Sequence, residues 1–181
     1  LGTSAGLMVI SQLVPFGRSV GHSVAVGTTA IFVGAIGSAL GRILSGWLSD
    51  AIGRLNTLRL MIGVSALAMF ALYHSGPSIG PLYVMVFVIY WCYGTQLSVN
   101  ASTAADFWGT KNVGVNYGLL FTAWGVAGII GPRIGGQLFD KYKDYQVAFY
   151  TAGVLCIVAL VSELIARRPV EPATVAAKAM A

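Results

Sequence analysis

The chain carries one cation where a cation is expensive. Arg42 stands inside a long apolar run and opens a thirteen-residue stretch, RILSGWLSDAIGR, that ends at Arg54. A charged side chain within a membrane span is costly and marks function by default. The chemistry available to a guanidinium there is anion binding, because it stays charged and can hold a carboxylate through two parallel hydrogen bonds. The alternative is that Arg42 snorkels to the nearer surface or pairs with an acid outside this chain. It lies eight residues before Asp50, about 12 Å of helix rise, which is long for snorkelling. Four further residues, Gly46, Asp50, Gly53 and Arg54, form a turn with opposite charges at its rim, and Gly53 alone fits an ordinary helix cap.

Other polar and aromatic side chains recur at helical steps. Tyr93, Gln96 and Asn100 share one face of a helix, with Tyr90 preceding them. Ser38, Arg42, Ser45 and Ser49 form a polar stripe turned about 100° from Gly41, and such a stripe in lipid is expected to line water or substrate. Gly34, Gly37, Gly41 and Ser45 give the small-xxx-small spacing that brings two helix backbones close. Gln12, one turn from Met8, is a weaker pocket candidate. Each lone polar residue is equally able to bridge two helices and leave substrate untouched.

The elements that position these groups are membrane helices. Hydrophobic residues make up 56% of the chain and charged residues 9%, against roughly a quarter charged in soluble domains. The apolar residues fall in blocks of about 17 to 25, enough to cross a hydrocarbon core about 30 Å thick. Six spans are expected: 2–16, 25–48, 57–74, 81–104, 113–138 and 147–166. Between them lie GRSVGHS, SDAIGRLN, SGPSIGP, DFWGTKN and DKYKDYQ, all rich in turn and charge signals. The stretch 167–181 reads as a loose polar tail.

Lysine and arginine near the span ends set orientation. Arg54, Arg59, Lys111, Arg167, Arg168 and Lys178 fall on one side, and Arg18, Lys141 and Lys143 on the other. The first side is therefore expected to be cytoplasmic, together with the Asp50/Arg54 loop and the C-terminus. The net charge of +5 is mostly this topology signal, and no basic run interleaved with aromatics points to nucleic acid. Cys92 and Cys156 occupy separate spans without metal-ligand or CxxC spacing, so both read as packing residues and no metal or cofactor is expected. No paired carboxylates, nucleophile with base, or ligand cluster suggests an enzyme.

The pattern of Gly46, Leu48, Asp50, Gly53 and Arg54 resembles the signature loop of the major facilitator superfamily, with Leu55 where a second basic residue is usual. That resemblance implies an all-α membrane protein whose six helices form one half of a twelve-helix transporter, with substrate held at the midplane between halves. Because the chain opens on Leu1 without a signal pattern and ends in a basic tail, it is expected to be the C-terminal half. Its partners would be the N-terminal six-helix half, the lipid of the inner (plasma) membrane and a small organic anion. The resemblance also implies that Asp50 and Arg54 act as gate elements.

The stretch NYGLLFTAWGVAGIIGPRIGGQLFD, from Asn116 to Asp140, resembles the oxalate/formate antiporter family within that superfamily. With GRILSGWLSDAIGR and the 100–118 connection, the resemblance covers about a third of the chain. It implies that the buried arginine binds carboxylate. Oxalate-exchanging members carry a lysine in this fifth span, in a pattern like TAKG; here Thr122, Ala123, Trp124 and Gly125 stand in its place. One cation beside an aromatic wall suits a small monocarboxylate such as formate, lactate or pyruvate better than oxalate. Trp124 either lines that wall or only packs. Gly125, Gly128, Gly131, Gly135 and Gly136 with Pro132 suggest a closely packed, bendable helix, Arg133 reads as structural, and Glu163 is the one acid within these spans. Expected alternatives are a dicarboxylate antiporter and a non-transporting carboxylate sensor. Exchange and proton symport both remain open.

Overall fold

A computed structural model describes residues 1–165, and within them the chain is helical throughout apart from turns. The six helices are α1 (Gly2–Ser19), α2 (Val24–Ile52), α3 (Arg54–Ser75), α4 (Ile79–Trp108), α5 (Val113–Tyr142) and α6 (Tyr145–Ile165). Each encloses its expected span, except that Ala166, the last residue of the sixth, lies outside the described residues along with the tail. Helices overrun the apolar blocks because backbone hydrogen bonding continues until a turn residue stops it. Thus α2, at 29 residues, is about 43 Å long against a hydrocarbon thickness of about 30 Å.

The turns follow the punctuation of the sequence. Ser23 caps α2 by accepting the Val26 amide at 3.4 Å, and a single residue, Gly53, joins α2 to α3. Its φ of +90° is a conformation that a Cβ resists, which is why glycine stands there. Five helices are long and apolar enough to cross a membrane. The exception is α1, which carries Gln12, Pro15 and Arg18 in 18 residues. Its apolar stripe of Ala5, Met8, Val9, Leu13 and Phe16 is buried among its neighbours.

Packing pairs α2 with α4, α3 with α4 and α6, and α1 with α5 and α6. Small residues set the first of these contacts. A Cβ on Gly41 would strike the Trp91 carbonyl, one on Gly94 would strike the Ser38 carbonyl, and one on Gly34 would sit 2.7 Å from the Tyr90 ring. The spacing of glycines along α2 therefore marks a real close approach. At one end of the bundle an aromatic cluster closes the core, with Phe16 edge-on to Phe149 at 4.7 Å and to Tyr145 at 5.6 Å. Cys92 and Cys156 are free thiols buried in the packing.

The polar stripe of α2 does not face water as its spacing suggested. Ser45 and Ser49 are 1% and 2% exposed. Ser45 pairs with Thr95 at 2.7 Å and accepts the Trp91 indole N–H at 3.2 Å. These serines belong to the same arc as the glycines, so the helix buries small and hydroxyl residues together against α4. Large apolar side chains turn outward elsewhere: Phe32, Ile43 and Trp47 on α2, and Val115, Leu119 and Ile129 on α5, are all exposed.

Candidate functional site

A cavity of about 230 Å³ opens where α4 and α5 approach the start of α1 and the end of α6. Tyr93, Gln96 and Asn100 line it from α4, and Tyr117, Phe121 and Trp124 from α5. The face shared by Tyr93, Gln96 and Asn100 thus meets Trp124 in space. Tyr90, one turn earlier, is buried against Gly34.

The aromatic wall is continuous. Phe121 stacks on Trp124 with centroids 5.0 Å apart, and Tyr117 leans on Phe121 at 5.2 Å. The Trp124 indole N–H donates to the Tyr93 hydroxyl at 2.8 Å, and the Tyr117 hydroxyl donates to the Leu97 carbonyl at 3.3 Å. Stacked rings with anchored polar edges make a firm surface for the apolar body of a ligand.

Arg42, on α2, is exposed and is not among the residues that line this cavity. It pairs with no carboxylate among the described residues, and its helix packs along the α4 that carries Tyr93. Glu163 lines the cavity from α6, and its backbone carbonyl accepts the Arg59 Nε–H at 3.0 Å. The cavity therefore has aromatic sides, amide groups from Gln96 and Asn100, and one carboxyl.

Two sequence candidates lie elsewhere. Ser38, 8% exposed, is wedged between α2 and α4 against Gly94. Gln12 lies along α5 beside Gly135, where a Cβ would come within 3.2 Å of its Cγ. Of the fifth-span glycines, Gly131 and Gly135 press on Ser4 and Met8 of α1, whereas Gly125 has open space around it. Arg133 is exposed.

The loop at Asp50 to Arg54 forms a second cluster, and sequence reasoning missed one member. Arg54 ion-pairs with Asp50 one turn back and reaches Asp106 at the end of α4 with its Nε at 3.2 Å. It also donates to the Ser49 hydroxyl. Asp106 opens DFWGTKN at the end of the fourth span, and nothing in that local sequence names Arg54 as its partner. This cluster and the Arg59 contact to Glu163 place the α2–α3 and α4–α5 turns and the end of α6 at one end of the bundle. At the other end, His22 Nε2 lies 2.8 Å from the Gly76 carbonyl oxygen and the Tyr73 hydroxyl donates to Asp144. Among described residues the two ends carry matching basic sets, Arg54, Arg59 and Lys111 against Arg18, Lys141 and Lys143. The asymmetry read from sequence rests on Arg167, Arg168 and Lys178, which lie outside the described residues.

Apolar helices of spanning length, small-residue packing and a charged turn at one rim are features of a multi-pass membrane protein. Known proteins agree. The chain is 27% identical over 156 residues to the oxalate:formate antiporter of Oxalobacter formigenes, covering 85% of this chain and 37% of that protein. It is 26% identical over 126 residues to an uncharacterised MFS-type transporter of Escherichia coli, covering 69% and 31%. The monocarboxylate transporter 13 of Bos taurus is 26% identical over 126 residues, covering 69% and 30%. The chain thus spans about a third of the length of these relatives. Residues 1–180 match the profile of the Major Facilitator Superfamily, so helices, signature turn and relatives converge on one assignment: the chain belongs to that superfamily of membrane transporters and is not an enzyme.

Proposed function

We propose that the chain is the C-terminal half of a secondary transporter that moves a small monocarboxylate, such as formate, lactate or pyruvate, by alternating access. The observation that supports the reading is Arg42, an exposed guanidinium without a carboxylate partner among the described residues, on α2, the helix packed along the α4 that carries Tyr93. Arg42 holds the carboxylate, Trp124 and Tyr93 shape the wall, and Gln96 borders it. The N-terminal half supplies the opposing wall, and the outward apolar faces of α2 and α5 meet that half and lipid. The orientation that fits puts the Asp50/Arg54 turn and the C-terminus in the cytoplasm of a cell bounded by its inner (plasma) membrane.

A dicarboxylate fits less well. The Trp124 position brings no second cation. The oxalate:formate antiporter among the relatives keeps that alternative in the test. Proteoliposomes holding the full-length protein and preloaded with unlabelled lactate should accumulate labelled lactate, pyruvate or formate by counterflow, with oxalate a poor competitor. Strong oxalate exchange would overturn the monocarboxylate reading. Absence of any flux alongside carboxylate binding would favour a sensor. Repeating the uptake with and without a pH gradient separates proton symport from exchange.

The rim cluster acts as a gate element in this reading, Asp50 and Arg54 biasing the inward-closed state and Asp106 tying the turn to α4. Exposed ion pairs contribute only about 0–1 kcal/mol. Asp106→Ala should therefore leave folding intact and shift the gate by about two- to fivefold. A cysteine placed by Asn100→Cys should react that much faster with an impermeant maleimide from the cytoplasmic side. An unchanged labelling rate counts against the gate.

A further inference from the structure

The two phenol hydroxyls of the cavity, Tyr93 and Tyr117, are not equivalent, and one of them has its proton to spare. Tyr117 commits its O–H to the Leu97 carbonyl at 3.3 Å. Tyr93 is different. An indole N–H can only donate, so the 2.8 Å contact from Trp124 Nε1 makes the Tyr93 oxygen the acceptor. One lone pair is thereby occupied, and the phenolic proton is turned away from Trp124. No acceptor for that proton occurs among the described residues, although the ring itself is fixed by close packing on Gly6, where a Cβ would lie 3.1 Å from its edge.

Tyr93 lines the cavity beside Gln96 and Trp124, on α4, along which the Arg42 helix α2 is packed. We propose that Tyr93 is the second carboxylate donor of the site, a neutral O–H that binds one oxygen of the anion held by Arg42, and that Trp124 is a positioning residue that acts through Tyr93. The inference rests on the anion-binding reading of Arg42. It deepens that reading by giving the site one full positive charge and one neutral donor, a set balanced for a single carboxylate. A hydrogen bond to an ionised group is roughly twice as strong as a neutral one, and it needs no second desolvated cation.

A double-mutant cycle on the full-length protein in proteoliposomes, read as initial uptake of labelled lactate, tests the assignment. Tyr93→Phe should raise KM by about tenfold or more, the loss of one hydrogen bond to a charged partner. Trp124→Phe should raise KM by a smaller factor, because Tyr93 then keeps its donor and loses only its orientation. In the Tyr93→Phe background, Trp124→Phe should add nothing. Additive effects would show that Trp124 only packs, and would overturn the positioning role. Should a phenylalanine variant not fold, a benzothienylalanine at position 124 replaces the indole N–H by sulfur at nearly constant shape, and it should reproduce the KM rise of Trp124→Phe. Unchanged KM in both the analogue and Tyr93→Phe overturns the proposal. Arg42→Ala run alongside separates the two levels: lost uptake there with an unaltered Tyr93→Phe leaves the anion reading standing and removes this inference, whereas full uptake by Arg42→Ala removes both.

Discussion

Uptake of lactate or formate by the full-length Arg42→Ala protein is expected to fall by about two orders of magnitude, with the protein inserted in normal amount. Two charge-assisted hydrogen bonds are lost at once, each about 1.5–3 kcal/mol, and the bound carboxylate is left without a countercharge. The structural cost is small. Arg42 is exposed on this half and fills no space in the packing, and removing a charge from a span eases insertion by about 2.5 kcal/mol or more. Function and stability should therefore move in opposite directions. Arg42→Lys keeps the charge and loses the planar fork, so it should fall between, at about a tenfold loss. Initial rates normalised to reconstituted protein give the answer, and wild-type uptake by Arg42→Ala would remove the anion site from this residue.

The second large effect is structural. Gly94→Ala places a methyl on the Ser38 carbonyl, and Gly41→Val drives a branched side chain into the Trp91 carbonyl. In both cases the obstacle is backbone, which cannot swing aside as a side-chain tip can. Overpacking costs about 1–3 kcal/mol where neighbours yield, and here the helices themselves must part, which also breaks the Ser45 bond to Thr95. A drop of several degrees in the melting temperature of the detergent-solubilised protein is expected for Gly94→Ala, and loss of most folded protein for Gly41→Val. Gly63→Ala is the control. Its Cβ would meet only the Leu160 methyl at 3.7 Å, an ordinary contact, so better helix propensity should leave stability unchanged or raised by up to about 1 kcal/mol. Equal melting temperatures across the three variants would mean that α2 and α4 do not depend on this approach.

What the sequence made legible follows from what periodicity encodes. Blocks of apolar residues divided by SGPSIGP and DKYKDYQ fix where helices start and stop, because the backbone must hydrogen-bond internally in lipid. A shared face is also readable, which is why Tyr93, Gln96 and Asn100 arrive together on one cavity. Period alone does not say which arc of a helix meets a neighbour. Ser38 and Ser49 share a stripe with Arg42, yet Ser38 is packed on Gly94 and Ser49 on Arg54, while Arg42 at the edge of the arc stays exposed. Contacts between distant segments were invisible. Asp106 lies 52 residues from Arg54, and nothing in its own neighbourhood announces a partner. Nor does sequence show that the Trp124 indole N–H reaches the Tyr93 hydroxyl on another helix.

The one-residue joint at Gly53 has a mechanical meaning. A single residue spans about 3.8 Å between neighbouring Cα atoms, so α2 and α3 are coupled without slack, and α3 begins with Arg54 itself. Arg54 is in turn tethered to α4, the helix on which the glycines of α2 are pressed. The three helices form a lever whose short arm ends at the rim. Arg42 sits about 12 Å up that arm from Asp50, so a tilt of α2 that moves Arg42 must also move the charged turn below it. Load at one end is felt at the other without any relay between them.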